Sequence, residues 1–469
     1  MGTPTVNAIH VGAPRRLCGV AVLALVAGLM ALGAAPASAA FSRGMTIGAS
    51  GCCPEVASDA DGDAVAVWTH FSDSGSWAVA RTISAAREPG PLLRLSGPTL
   101  SGHFPTAEVA SDADGDAIAV YTRRGTQFHE RVKARMISAD GVLGAPITLS
   151  ARGGGAFNPQ IASDPAGDAV AVWTRWDGAN TRVQARTISR NGALGPIHTL
   201  SAAGQNAGSP KVAIDADGDA VVVWGRFRPG TRVYVQAATV SRGGAVGPTR
   251  NLCCVGKDAA APQVTIDREG DAVAVWLSGP DLEAFPPRDW TIEARSISHT
   301  GSLGAITRLS EGPVGLPPPL IAGDADGDAV VIWTEAFDPA PDEDFGRVIE
   351  QARRISGSGM LGPITALAET DTRQPFLGWD IASDGDGGAV AVSSVGTFVG
   401  SCDNAVVTAH AISKADVVGP QTTLADVGEQ CRFDARVPQI ASDADGDVVV
   451  VFEPSGVGIG NAIRLVHGP

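Results

Sequence analysis

Aromatic residues are scarce in this chain, at 5 % of 469 positions, although 44 % are hydrophobic. An interior with so few large rings must rest on Ala, Val and Gly, which suits sheets stacked closely face to face. Positive charge is scarce too: 35 basic residues, four of them Lys, stand against 50 acidic ones, a net charge of −15. That balance argues against general binding of nucleic acid or anionic membranes, both of which need basic surface. Beyond Gly19 to Ala34, no apolar run approaches the roughly 20 residues of a membrane-spanning helix. The sequence has no Gly-x-Ser-x-Gly elbow and no phosphate-binding glycine loop, and its histidines are scattered without metal-ligand spacing. No linear trace of a catalytic centre exists.

Residues 1–39 read as an export signal. Arg15 and Arg16 precede the apolar run, and Ala37-Ser38-Ala39 supplies the small-residue cleavage site. Residues 40–469 are then expected outside the cytoplasm as one monomeric domain without membrane insertion. Losing Arg15 and Arg16 leaves 33 basic against 50 acidic residues, net −17. Cys52, Cys53, Cys253, Cys254, Cys402 and Cys431 remain, and an even count in an exported chain favours disulfides. Cys402 and Cys431 fall in neighbouring inter-strand loops of the last two repeats and are expected to pair. The two doublets are each a vicinal disulfide or a pair of thiols.

What the chain has in abundance is one motif, Asp215-Ala216-Asp217-Gly218-Asp219-Ala220-Val221-Val222-Val223-Trp224. Its copies begin at Asp59, Asp112, Asp164, Asp215, Asp267, Asp324, Asp384 and Asp443, spaced 51 to 60 residues apart. Such a period marks a repeat architecture. In the copy from Pro159 to Ala202, Gln160–Ser163 reads as a short strand A, Asp164–Asp168 as a turn and Ala169–Trp173 as strand B. Val183–Ser189 follows as strand C and Pro196–Ser201 as strand D. Four short antiparallel strands, repeated without helical stretches, describe a β-propeller blade, so the expected fold is an all-β, eight-bladed propeller. Met45 to Ser50 aligns with strand D alone, and the last repeat stops after strand C. The leading strand is therefore expected to complete the last blade, leaving no open edge. Seven blades is the alternative if the aberrant seventh copy, with Ser393 where others carry an aromatic, is not a blade. Trp68, Tyr121, Trp173, Trp224, Trp276, Trp333 and Phe452 are read as wedges between blades. Arg81, Arg135, Arg186, Arg295 and Arg353 recur in strand C and are expected to pair with turn aspartates or stack on the aromatics.

The Asp-x-x-Gly-x-Ala-x-Ala-x-Trp pattern resembles secreted bacterial β-propeller repeats over about residues 44 to 466. The resemblance implies architecture and says little of activity. More distantly, the Asp-x-Asp-Gly-Asp turns are similar to the calcium loops of FG-GAP propellers. Asp59, Asp61 and Asp63 present carboxylates at alternate positions that would suit calcium. Against it, Ala64 and Val67 replace the glycine and the later acid of that loop, and Ala166 and Gly388 interrupt other copies. Only the first Asp and the Gly occur in all eight, as an Asx turn with a positive-φ glycine requires.

The A–B and C–D turns barely differ between copies, whereas the B–C and D–A loops vary, so the B–C/D–A face is the candidate binding face. Arg123, Arg124, Arg175, Trp176, Arg226, Phe227 and Arg228 follow strand B in repeats 2 to 4 and are suited to gripping carboxylates or stacking on sugars. Repeats 5 and 6 instead carry Asp281, Glu283, Asp289, Asp338, Asp342, Glu343 and Asp344 there. Two functions are expected. One is a secreted binding or scaffold propeller for a polysaccharide, peptide or envelope component. The other is an exported polysaccharide hydrolase or lyase with its site in the central mouth. Close carboxylates in that mouth would favour the enzyme, and an apolar plug would favour binding.

Overall fold

A computed structural model describes residues 41–42, 44–99, 105–124, 130–227, 233–253, 256–280, 289–315, 317–337, 346–371, 376–396, 406–426, 436–453 and 463–468. The export signal, Cys254, Cys402, Cys431 and the acidic loop residues except Asp289 lie outside them. No helix among the described residues is long and apolar enough to cross a membrane.

Each blade starts from its A–B turn. The Asp215 carboxylate accepts hydrogen bonds from the N–H groups of Asp217 (3.0 Å) and Asp219 (2.8 Å), and the same pair recurs at the first Asp of every copy. Gly218 takes the positive φ (86°) that closes the turn. Strand B follows, and Ala220 to Trp224 are buried on both faces because a blade lies against each side. In blade 3 the strands are A (Ala156–Ser163), B (Ala169–Trp176), C (Thr181–Ile188) and a two-residue D (His198–Thr199). Strand D is shorter than its sequence suggests because it pairs with C only through Gln184 and Ala185.

The described residues form eight four-stranded antiparallel sheets in a ring, an eight-bladed β-propeller. The eighth blade joins Arg436–Ser442, Val448–Glu453 and Ile463–Gly468 to Met45–Gly48, which pairs with the last of them. The seventh copy is a full blade, which removes the seven-bladed alternative. There is no single core. One apolar cluster fills each boundary between neighbouring blades, including Ile47, Trp68, Val449 and Leu465 between the last and the first. The expected aromatic wedges are all buried within these clusters. Between blades 6 and 7 the wedge comes from strand A instead: Trp379 lies directly opposite Ser393 and fills the space that residue leaves.

Neighbouring blades are also latched by polar groups. The second carboxylate oxygen of each first turn Asp abuts the turn glycine of the next blade. A Cβ on Gly167 would lie 2.6 Å from Asp112 Oδ2, and one on Gly62 would lie 3.0 Å from Asp443 Oδ2, closing the circle. Ser111 donates its hydroxyl to Ser58 O, Ser58 to Ser442 O and Ser442 to Ser383 O, at 2.6 to 2.7 Å. Among the described residues the strand-C arginines form no ion pair with aspartate. Arg186 donates to Gly195 O (2.7 Å) in its own blade and Leu149 O (3.0 Å) in the preceding one. Arg295 and Arg353 repeat this bridge. A guanidinium reaches carbonyls left without a partner where the short D strand ends, so backbone outcompetes side-chain partners here.

Candidate functional site

The eight A strands contact one another in order around the axis, the last returning to the first. Four residues before each turn Asp, one side chain per strand faces this bore. Cross-strand register places Glu55, Glu108, Gln160, Lys211, Gln263, Leu320, Asp380 and Gln439 at that level. Seven of the eight are polar, and all are half-buried. In five blades a bulge precedes this position, where the register between A and B shifts. Cys53, Asn158, Ser209 and Ala261 each take a left-handed φ of 49 to 57° there, immediately before a proline. Non-glycine residues rarely adopt this conformation, and bulges of this kind re-aim the side chain that follows.

Hydrogen bonds join the ring laterally. Lys211 Nζ donates to Gln160 Oε1 (2.9 Å), and Gln160 Nε2 donates to Glu108 Oε1 (2.7 Å). Asp380 Oδ2 accepts from the N–H of Ile440 in the next blade (3.0 Å). Protein surrounds these side chains, and the resulting desolvation dominates their acidity. It raises Glu108 to about 7, with Lys211 and the Gln160 amide pulling the other way. It raises Asp380 to about 6 against the N–H groups of Ile440 and Ile381. Glu55 is pushed well above the usual carboxylate range by burial, then by the charges of Glu108 and Asp380. Three acids from blades 1, 2 and 7 and the amine from blade 4 thus share one electrostatic field across the axis.

This ring was not among the residues singled out from sequence. Its trace is a polar residue just after Pro54, Pro159, Pro210, Pro262 and Pro438. Of the residues that were singled out, Arg123 is exposed at the end of strand B of blade 2, Arg124 follows without a described side chain, and Arg228 is undescribed. Arg175 turns onto the D–A loop, donating to Ala151 O (2.9 Å), Arg152 O (3.1 Å) and Gly153 O. Trp176 is exposed, Arg226 is half-buried, and the half-buried Phe227 ring folds over Gly225. Among the described residues, no hydrogen bond or ion pair joins Arg123, Arg175, Trp176, Arg226 or Phe227 to the acids of the ring.

One carboxylate oxygen of each first turn Asp is committed to N–H donors. Asp59 Oδ1 accepts from Asp61 and Asp63, and Asp63 Oδ1 accepts from Ala85 N in the C–D turn (2.5 Å). Asp116, Asp168, Asp219 and Asp271 cap their C–D turns in the same way. Oxygens aimed at N–H groups do not converge on a cation. Among the described residues, no group of three or more His, Cys, Asp or Glu side chains is arranged to hold a metal.

No protein-family model matches the chain, and no curated protein matches it in sequence. Solved structures do match in fold. The BP39L lectin from Burkholderia pseudomallei superposes with a TM-score of 0.53 at 11 % identity, covering 81 % of this chain and all of the lectin. The polysaccharide lyase Uly1 gives 0.49 at 10 % identity, covering 81 % of this chain and 90 % of the lyase. The β-propeller domain of the trilobed protease from Pyrococcus furiosus gives 0.45 at 11 % identity, covering 81 % and 98 %. At these identities the likeness is one of fold.

Proposed function

We propose that this chain is an exported carbohydrate-binding propeller whose B–C/D–A face and acid-lined bore together receive a polyhydroxylated ligand. The observation that carries the reading is the ring at the level of Glu55. It offers carboxyl, amide and ammonium groups at fixed angles, and only Leu320 is apolar. Convergent, pre-positioned donors and acceptors are what hydroxyl-rich ligands need, because water competes for each bond unless the site is ordered in advance. The propeller likeness to a lectin is consistent with this use of the fold.

The same ring supports a second reading. A carboxyl group held near neutrality, as at Glu108, has the acidity of a general acid that protonates a glycosidic oxygen. A bore lined by acids rather than plugged by apolar side chains is the outcome expected of the hydrolase or lyase.

A glycan array probed with residues 40–469, wild type and Glu108→Gln/Asp380→Asn, tests both. Binding that falls at least about tenfold in the double variant, without release of new chain ends, supports recognition. Chain cleavage by the wild type that Glu108→Gln abolishes favours the enzyme. Undiminished binding by the variant removes the bore from the account.

A further inference from the structure

Charge is distributed very unevenly on this acidic chain. Arg123 lies opposite Arg131 across strands B and C of blade 2, and Arg131, Lys133 and Arg135 alternate along strand C, so all four share one face of the sheet. Arg152, in the loop leading to blade 3, is exposed, and Arg175 reaches the same loop from blade 3. None of these six cations forms an ion pair with a carboxylate among the described residues. Burial lowers Lys133, and the neighbouring charges that act on it, Arg123, Arg131 and Arg135, lower it further. Arg131 is depressed by burial and Arg152, and Arg175 by burial and Arg131. Cations held this close, with no ion-pair partner among the described residues, are an unfavourable arrangement unless something anionic completes it.

The loop between them is shaped for an anion. Arg131 Nη2 donates to Ser150 O (2.5 Å), while Arg175 takes the carbonyls of Ala151, Arg152 and Gly153. Four successive carbonyls are drawn towards two guanidinium groups. The N–H groups of Ala151, Arg152, Gly153 and Gly154 donate to no acceptor among the described residues. Gly153 and Gly154 both take positive φ (74° and 66°), and a Cβ on Gly153 would meet open space. Consecutive N–H groups in such a loop form a concave anion-binding surface. The backbone N–H of Trp176 donates to Gly155 O (2.8 Å), and its side chain, 42 % exposed, offers a ring for a sugar to stack on.

We propose that this loop and the cations around it, Arg123, Arg131, Lys133 and Arg152, form a binding site for a polysaccharide bearing carboxylate or sulfate groups. Arg175 acts there as a positioning residue that holds the loop. The proposal rests on the carbohydrate-binding reading and gives that ligand its charge.

The test is affinity electrophoresis in gels containing polygalacturonate, dextran sulfate, neutral dextran or poly-glutamate, at low and high salt. Retardation by polygalacturonate, dextran sulfate or both, relieved by salt, is expected, and the two gels tell carboxylate from sulfate as the group recognised. Arg123→Gln/Lys133→Gln/Arg152→Gln should weaken it at least about tenfold with an unchanged melting temperature. Arg152→Glu alone should weaken it in the same direction. No retardation of the wild type by either anionic polysaccharide, or equal retardation of the triple variant, overturns the proposal. Stronger retardation by poly-glutamate than by the polysaccharides overturns the ligand class. Binding of anionic polysaccharide that survives Glu108→Gln/Asp380→Asn would leave this site standing while the bore reading fails.

Discussion

Carboxyl groups sealed away from water make this protein's stability depend on pH. Glu350 is fully buried between blades 6 and 7, next to the Ser393–Thr408 hydroxyl pair, and burial raises its pKa to about 7 against the pull of Ser393. A carboxyl raised in the folded state is protonated there at a pH where the unfolded chain has already ionised. Its contribution is therefore complete below the unfolded value near 4.5 and disappears as pH rises through about 7. Glu108 and Asp380 shift in the same direction. The melting temperature should fall from pH 4.5 to 7.5, and Glu350→Gln should flatten part of that fall in calorimetric scans. The turn glycines set a second constraint. Gly218 combines a φ of 86° with a Cβ position 2.8 Å from Asp164 Oδ2. Gly218→Ala should cost about 1–3 kcal/mol in urea unfolding. The need for glycine was legible in sequence because a turn dictates it locally. The fate of Ser393 was not, since its partner Trp379 is found only through cross-strand register.

At the scale of the element, the repeated turn carries most of what the sequence made plain. Its Asp and Gly have a backbone role, and the third Asp braces the neighbouring C–D turn. We expect added calcium to leave the melting temperature unchanged, because Oδ1 of each first Asp already faces two N–H donors; a rise of several degrees would show that the turns rearrange around the ion. The inner strand was less legible. A polar position in a short strand looks like ordinary alternation, and only ring closure shows that the eight equivalent positions face one another. The wedges make a complementary prediction: Trp173→Ala should cost about 3–5 kcal/mol, and Trp379→Ala a similar amount, since each is a large buried ring at its boundary. Equal melting of Trp379→Ala and wild type would show that Ser393 leaves no space to fill.

For the whole molecule, closure is secured twice. The leading strand completes the last blade, and the inner ring closes independently through Ser58 and Ser442 and through Gly62 and Asp443. Residue order along the chain revealed the first device, while the second depends on contacts between segments almost 400 positions apart. Deleting residues 41–50 should therefore leave a folded ring with one exposed strand edge. Size-exclusion chromatography should then show self-association, together with a lower melting temperature. The central claim is that recognition runs through the acids of the bore. Its most direct measurement is the affinity for an array-selected oligosaccharide at pH 5.5 and 8.5, in wild type and Glu108→Gln. Wild-type affinity should change between the two values as Glu108 ionises, and the variant's should not. Identical pH profiles in the two proteins would contradict the account.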